Sequence, residues 1–365
     1  MVPKPPGKRT ARMTPAATGT KRRAAIEKRQ RAATLVTGGT GFLGSHLVRQ
    51  LVEDGARDIR VMATSIPDWL VDLGVETFEG SITKPDDAKR AVEGISQIYH
   101  LAGKVSRERK DSREMYEVHV EGTRLLCDAA KAAGVKTIVL ASTSGTIAVT
   151  KEGDAIPDES YPQPLEIVSR WPYYASKVYQ EMAALERFNG KGLRLVIMNP
   201  SLLLGPGDDR LSSTKVILDF MARKIGAIPT GGVSFVDARD AAISFRMAMK
   251  KGRHGERYLL GAANWTFDKF FGRLERLTKV AAPRFALPSR LAITGAHLVD
   301  SFFKQWDLAS PVEPGAIEMA QYFWYLNSSK AARELSFKPR DPSDTLHDTV
   351  VYLRENFLGG NAFGK

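Results

Sequence analysis

From residue 34 to residue 200 the chain alternates short apolar runs with stretches whose apolar residues recur at helical spacing. Thr34–Thr37 is a β-branched run ending in glycines, after which Phe42, Leu43, Leu47, Val48 and Leu51 mark one face of a helix. Ile59–Met62, Val75–Phe78, Ile95–Leu101, Thr137–Ala141 and Leu193–Met198 read as further strands. Met115–Ala133 predicts a long helix stopped at Gly134, and Tyr173–Phe188 another ended by Asn189-Gly190. Strands that are apolar along their whole length are buried on both faces. The alternation therefore predicts an α/β protein with a parallel sheet covered by helices on both sides.

Beyond Pro200 the rhythm loosens. Leu211–Ile225 and Ala238–Lys250 have helical spacing, Arg257–Leu260 reads as a strand, and Phe267–Val280 is amphipathic. A proline-marked apolar segment, Phe285 to Phe303, precedes a final helix over Ser343–Phe357. No internal repeat is present. The pattern predicts a core over residues 34–200 and a smaller lobe over 201–358, partly interleaved with the core, that shapes a pocket. Residues 359–365 read as a flexible end.

Composition changes this picture little. A chain of 365 residues with 43% hydrophobic and 26% charged residues suits a soluble globular protein. No run of about 18 uncharged apolar residues offers a membrane span. The N-terminal stretch has no apolar signal segment, so a cytoplasmic protein is expected. The single Cys127 excludes an internal disulfide and a cysteine-cluster metal site, and no metal is expected.

Charge is more informative. The net charge is +12, but residues 1–33 hold ten Lys/Arg against Glu27, so most of the excess lies there. That Pro/Ala/Thr/Lys/Arg segment has almost no large apolar residues to offset its ordering entropy, and is expected to be a disordered basic tail. Weak contact with a polyanion or an anionic membrane surface is within its reach. Specific nucleic-acid binding is not expected, because the rest of the chain is nearly balanced.

Two motifs carry chemistry. Gly38, Gly39, Thr40, Gly41, Phe42, Leu43 and Gly44 fall between the first strand and the first helix. Glycines there allow a tight turn, let backbone N–H groups approach a pyrophosphate, and set the anion at a helix N-terminus. Ribose discrimination falls about 20 residues on, at the end of the second strand. There the chain offers Thr64 and Ser65, with no acid before Asp68. An acid would repel a 2′-phosphate, so its absence favours NADP over NAD.

The second motif is Tyr173-x-x-x-Lys177 at the start of a helix. Residues four apart share a helix face. A phenol with an ordinary pKa of about 10 works poorly at neutral pH, and a nearby ammonium favours its phenolate. Ser142, Thr143 and Ser144 close the fifth strand, at the sheet edge where ligands of such folds sit, and any of them offers a hydroxyl to a carbonyl. Together these groups suit transfer of a hydride between a nicotinamide and a carbonyl carbon.

With His100-Leu101-Ala102-Gly103 after the fourth strand, these motifs resemble an extended short-chain dehydrogenase/reductase of the NAD-dependent epimerase/dehydratase superfamily. The resemblance spans about residues 34–358, with Asn199-Pro200-Ser201, Val236-Asp237-Ala238-Arg239-Asp240 and Asn327-Ser328-Ser329-Lys330-Ala331 as later landmarks. It implies a Rossmann-type doubly wound parallel sheet with a smaller C-terminal substrate-binding lobe, and a homodimer formed through two long helices per subunit. It also implies Thr143 as the catalytic hydroxyl with Ser142 its neighbour. Cofactor contacts are implied for Ser81, Ile82, Leu101, Ala102, Gly103, Tyr173, Lys177 and Pro200.

Three departures stand out. No acid follows the second strand, Ser81 stands where the family usually has Asp, and His119 where it usually has Asn. His119 reads as a structural histidine on a helix face rather than a base.

Ser144-Gly145 after Thr143 lacks the Asp-Glu of the sugar-nucleotide dehydratases that it otherwise resembles. Leu202-Leu203-Leu204, Trp265 and the Phe285–Phe303 segment suggest an apolar pocket, although each also suits a core. The chain thus resembles the dihydroflavonol-4-reductase and 3β-hydroxysteroid dehydrogenase branch. The expected activity is interconversion of a small, fairly apolar ketone and a secondary alcohol. The alternative is a nucleotide-sugar epimerase with tightly held NAD. A third reading, a non-catalytic nucleotide sensor or RNA-binding protein, is opposed by the presence of both Tyr173 and Lys177.

Overall fold

The computed structural model describes residues 34–188, 192–284, 293–296 and 314–359. The basic tail, Asn189-Gly190, most of the Phe285–Phe303 segment and residues 360–365 lie outside the described residues. Seven parallel strands form the main sheet: β1 (Thr34–Thr37), β2 (Ile59–Ala63), β3 (Glu76–Glu79), β4 (Gln97–His100), β5 (Thr137–Ala141), β6 (Arg194–Pro200) and β9 (Arg257–Leu260). Their order is β3-β2-β1-β4-β5-β6-β9, so the winding reverses between β1 and β4. This is the doubly wound Rossmann arrangement, whose crevice at the reversal receives a dinucleotide.

The period-two logic of the strands explains why helices cover both faces. Val36, Ile59, Val61, Val139, Val196 and Met198 point into one core with Leu47 and Val48 of the Phe42–Glu53 helix and Ala241, Phe245 and Ala248 of the Ala238–Lys251 helix. Leu35, Met62, Ile98, Ile138, Leu140, Leu195 and Ile197 point to the other side, against Ala88, Leu126, Ala130 and Ala184. Only β3, at the sheet edge, is largely exposed.

A second sheet was not expected from the sequence. Strand β8 (Gly232–Asp237) pairs with β7 (Leu202–Leu204), β10 (Ala263–Thr266) and β11 (Phe323–Trp324). Three of these strands are too short to show a period. The sheet shares a core with the Lys215–Met221, Phe267–Thr278 and Pro342–Phe357 helices, built on Phe220, Phe235, Trp265, Phe270, Phe271 and Leu353. Trp265 and Leu204 therefore pack inside the lobe, the core alternative raised for them.

Two expected helices differ in detail. The segment expected to be helical from Leu211 becomes an α-helix only at Lys215, because Leu211 is left-handed at φ 52° and the buried Asp208 carboxylate takes the backbone N–H groups of Ser212, Ser213 and Thr214. The long helix predicted from Met115 runs from Ser112–Tyr116 to Gly122–Ala132 with a π turn at Glu117–Glu121 between them.

Residues beyond 200 also complete the first sheet, since β9 is its last strand and the Ala238–Lys251 helix covers one of its faces. Ion pairs join the two parts: Arg239 bridges Asp237 and Asp348, and Arg340 holds Asp240 at 2.8 Å. Phe245 is fully buried where the Ala238–Lys251 helix meets the sheet. Phe245→Ala should lower unfolding stability by about 3–5 kcal/mol, read from the denaturation midpoint; a change below about 1 kcal/mol would contradict this packing.

Candidate active site

At the winding reversal, Gly38 adopts φ 70°, and a Cβ there would lie 2.6 Å from the Ala102 backbone nitrogen. A Cβ on Gly44 would lie 2.2 Å from the Gly38 carbonyl oxygen, so helix and turn meet at backbone distance. Gly41 caps the Phe42–Glu53 helix without a side-chain hydrogen bond, which leaves the N–H groups of its first turn to an external acceptor. A pyrophosphate supplies such an acceptor, so these residues fit a dinucleotide. Thr40 and Phe42 are half-buried beside this turn, while Leu43 is buried under it.

The remaining predicted cofactor residues surround the same edge. Leu101 and Ala102 follow β4, their backbone N–H groups donating to the carbonyl and to Oγ1 of Thr37. Thr64 and Ser65 are exposed just past β2. Ser81 donates its N–H to Asp87, whose carboxyl is held below the usual range by that bond and by Arg90. Ile82 is buried next to it, and Pro200 ends β6.

Tyr173 and Lys177 lie on the first turns of the Pro172–Arg187 helix. The Thr143 hydroxyl lies beside the Tyr173 phenol, close enough to favour its ionised form slightly. Burial pushes the phenol above its ordinary pKa, with Tyr174 adding to the shift and Thr143 opposing it. The ammonium of Lys177 does not draw the phenol down, contrary to the simple expectation from the spacing. Its Nζ is turned to the Ala141 carbonyl at 2.9 Å and to Gln180 Oε1 at 2.8 Å. Tyr173 is thus protonated in the ligand-free protein. Burial lowers Lys177 to about 8, with the Glu181 carboxylate opposing the shift.

Ser142 faces away from this group. Its hydroxyl donates at 2.5 Å to Glu181 Oε1, which also accepts from Thr146 at 2.8 Å and from Asn199 at 2.7 Å. Arg257 reaches the other oxygen at 2.7 Å. Glu181, Gln180 and Arg257 were not singled out in the sequence, and Asn199 only within the Asn199-Pro200-Ser201 landmark. Glu181 was within reach of the spacing argument, being four residues past Lys177 on the same helix face.

Above Tyr173 lies an aromatic cluster. Tyr174 rests against Trp324 with ring centroids 4.8 Å apart, and Trp171 meets Trp324 at 5.6 Å and Tyr322 at 5.3 Å. Gly145 makes room for it, since a Cβ there would lie 2.3 Å from the Tyr174 ring.

The family model described as "NAD dependent epimerase/dehydratase family" matches residues 34–261, and the chain belongs to that family. It is 33% identical over 332 residues to "Sterol demethylase protein B" of Methylococcus capsulatus, covering 88% of this chain and 98% of that protein. It is 31% identical over 328 residues to a Synechocystis protein named as a candidate dihydroflavonol 4-reductase, covering 88% and 94% respectively. The crystal structure of gox2253 superposes with a TM-score of 0.76 at 28% identity, covering 90% of this chain and 99% of that one. The fold is that of the extended short-chain dehydrogenase/reductases, and the protein is an oxidoreductase of the nicotinamide-dinucleotide type.

The environment of Lys177 makes a direct prediction. Its amine should lose a proton as pH rises through about 8 in the ligand-free protein, against about 10.4 for a free lysine. Glu181→Gln removes the charge that favours the ammonium and should move this titration to lower pH. Nitrogen NMR of the Lys177 side chain would read both, and a titration near 10 would refute the assigned environment.

Proposed function

We propose that this protein interconverts a ketone and a secondary alcohol, with Tyr173 exchanging a proton with the substrate oxygen and Thr143 orienting it. The observation that carries this reading is the placement of the Thr143 hydroxyl, just past β5, beside the half-buried, protonated phenol of Tyr173 at the sheet's carboxyl edge. A bound nicotinamide dinucleotide supplies or accepts the hydride. In the reducing direction Tyr173 gives its proton to the developing alkoxide, and the Thr143 hydroxyl donates a second hydrogen bond to it. Lys177, fixed by Ala141 and Gln180, has one N–H left to hold the nicotinamide ribose.

The glycine turn, Thr40, Phe42 and Leu43 would hold the pyrophosphate. Ser81, Ile82, Leu101, Ala102, Gly103 and Pro200 would line the rest of the dinucleotide site. Thr64 and Ser65, with no acid at the end of β2, support NADP over NAD. The cluster of Trp171, Tyr174, Tyr322 and Trp324 beside Tyr173 supports a substrate that is fairly apolar. Names such as ketoreductase among the relatives agree with that chemistry. Tyr116, Tyr179 and Met182 project 42%, 50% and 50% exposed from the Ser112–Tyr116 and Pro172–Arg187 helices, and support a homodimer through this face.

Tyr173→Phe should retain NADPH binding while lowering turnover about 10²–10⁴-fold, measured by fluorescence titration and steady-state kinetics. Thr143→Val should reduce turnover more than Ser142→Ala, whose main effect should be on stability through the lost Glu181 bond. The reverse order would move the orienting role to Ser142.

The epimerase reading is separated by the nucleotide that freshly purified protein releases on denaturation. An exchanging reductase should release little and bind NADPH more tightly than NADH. Near-stoichiometric NAD would instead mark a cofactor recycled in place, and would displace the reductase reading.

A further inference from the structure

We propose that His119 is a positioning residue: its imidazole is a strut that fixes the segment after β4 against the helix carrying Tyr173 and Lys177. His119 is fully buried in the π turn at Glu117–Glu121. Single π turns inside helices recur at functional sites, where they re-aim a side chain.

Both ring nitrogens are committed, in one direction only. Nε2 accepts the backbone N–H of Lys104 at 3.1 Å, so it carries no proton. Nδ1 therefore bears the hydrogen and donates to Ser176 Oγ at 2.8 Å. The Ser176 hydroxyl in turn donates to the Tyr173 carbonyl at 2.7 Å. A continuous line of oriented bonds runs from Lys104, next to the predicted cofactor segment Leu101–Gly103, to the backbone of Tyr173. The His119 and Tyr173 rings also meet edge to face, with centroids 5.9 Å apart.

The groups that face the imidazole oppose its protonation. Lys177 and Tyr173 face it from the Pro172–Arg187 helix and His100 from β4. Burial first, then the charge of Lys177 and the second imidazole, holds His119 well below its ordinary pKa. A proton on Nε2 would also remove the acceptor of the Lys104 N–H. The ring is thus unsuited to act as a base.

Gly103 gives an independent sign of the fit. A Cβ there would lie 2.9 Å from His119 Nε2 and 3.7 Å from Lys177 Nζ. The imidazole fills the space beneath the cofactor segment, and a glycine is required above it. The asparagine usual at this position in the family presents one acceptor and one donor on a shorter arm, leaving that space open.

The effect on turnover rests on the hydride-transfer reading above, while the bonds themselves can be tested without it. Amide hydrogen exchange at Lys104 and across Tyr173–Lys177 would be compared in the ligand-free protein, His119→Ala and His119→Asn. NADPH affinity would be followed by fluorescence from about pH 5 to about pH 8. His119→Ala should speed Lys104 exchange and lower turnover about ten- to a hundredfold. His119→Asn should restore most of both, with no limb of the pH profile lost.

Unchanged Lys104 exchange in His119→Ala would overturn the strut. Equal loss of turnover in His119→Asn, with an ionisation missing from the pH profile, would make His119 a proton carrier and overturn it too. Altered exchange in a protein whose wild type reduces no ketone would keep the strut and discard the hydride-transfer reading. If His119→Ala does not fold, Gly103→Ala serves instead. Alone it should weaken NADPH binding, and combined with His119→Asn it should recover binding; no recovery would refute the shared space.

Discussion

The Glu181 carboxylate is the interaction on which the rest of the site depends. It is fully buried, and a buried carboxylate is tolerated only when it is paired and hydrogen-bonded. Its partners come from four places: Ser142 at the end of β5, Thr146 in the turn after it, Asn199 near the end of β6, and Arg257 at the start of β9. One oxygen takes three donors and the other takes the guanidinium. Any shift of the Pro172–Arg187 helix along the sheet would leave charge unpaired in the interior, so the helix has one register. That register sets Lys177 and Tyr173 one and two turns away on the same face.

The same carboxylate shapes the electrostatics. Burial of Lys177 favours the neutral amine, and Glu181 is the charge that opposes this, while the amine donates to the Ala141 carbonyl and to Gln180. A second line of bonds holds the amine from the far side. Gln180 donates to Thr123, Thr123 meets Nε2 of His100, and Nδ1 of His100 meets Thr37 at the end of β1. His100 is lowered to about 3 by burial and by Lys177, so this chain stays neutral across the physiological range. The amine and the glycine turn are thus held by one interior network, and Tyr173 keeps its proton because burial disfavours the phenolate.

The sequence made the first sheet legible because its strands are apolar on both faces and its glycines sit where backbone meets backbone. That Tyr173 and Lys177 share the first turns of one helix was legible from the spacing. The second sheet was not, since Leu202–Leu204, Ala263–Thr266 and Phe323–Trp324 are too short for any period and pair across long separations. The role of Ser142 was also hidden. Adjacent strand-end hydroxyls point to opposite faces, and only the position of Glu181 decides which of them is turned inward. The phenol's direction of shift failed the simple argument for a related reason: proximity along a helix does not say where a long lysine side chain finds its acceptors.

The segment from Asn199 to Leu204 links the two halves of this arrangement. Asn199 and Pro200 close β6 in the first sheet, and Leu202 opens β7 in the second after a single residue, Ser201. The backbone that carries a Glu181 ligand therefore passes directly into the lobe. Asn199 is anchored to Glu181, Thr146 and the Thr143 carbonyl, while β7 is anchored to β8. So short a connection transmits the register of the first sheet to the second without slack. Loops of the lobe can then vary in shape while the hydroxyl of Thr143 and the phenol of Tyr173 keep their relation. The chemistry is fixed by buried charge in the core, and the choice of substrate is left to the residues above it.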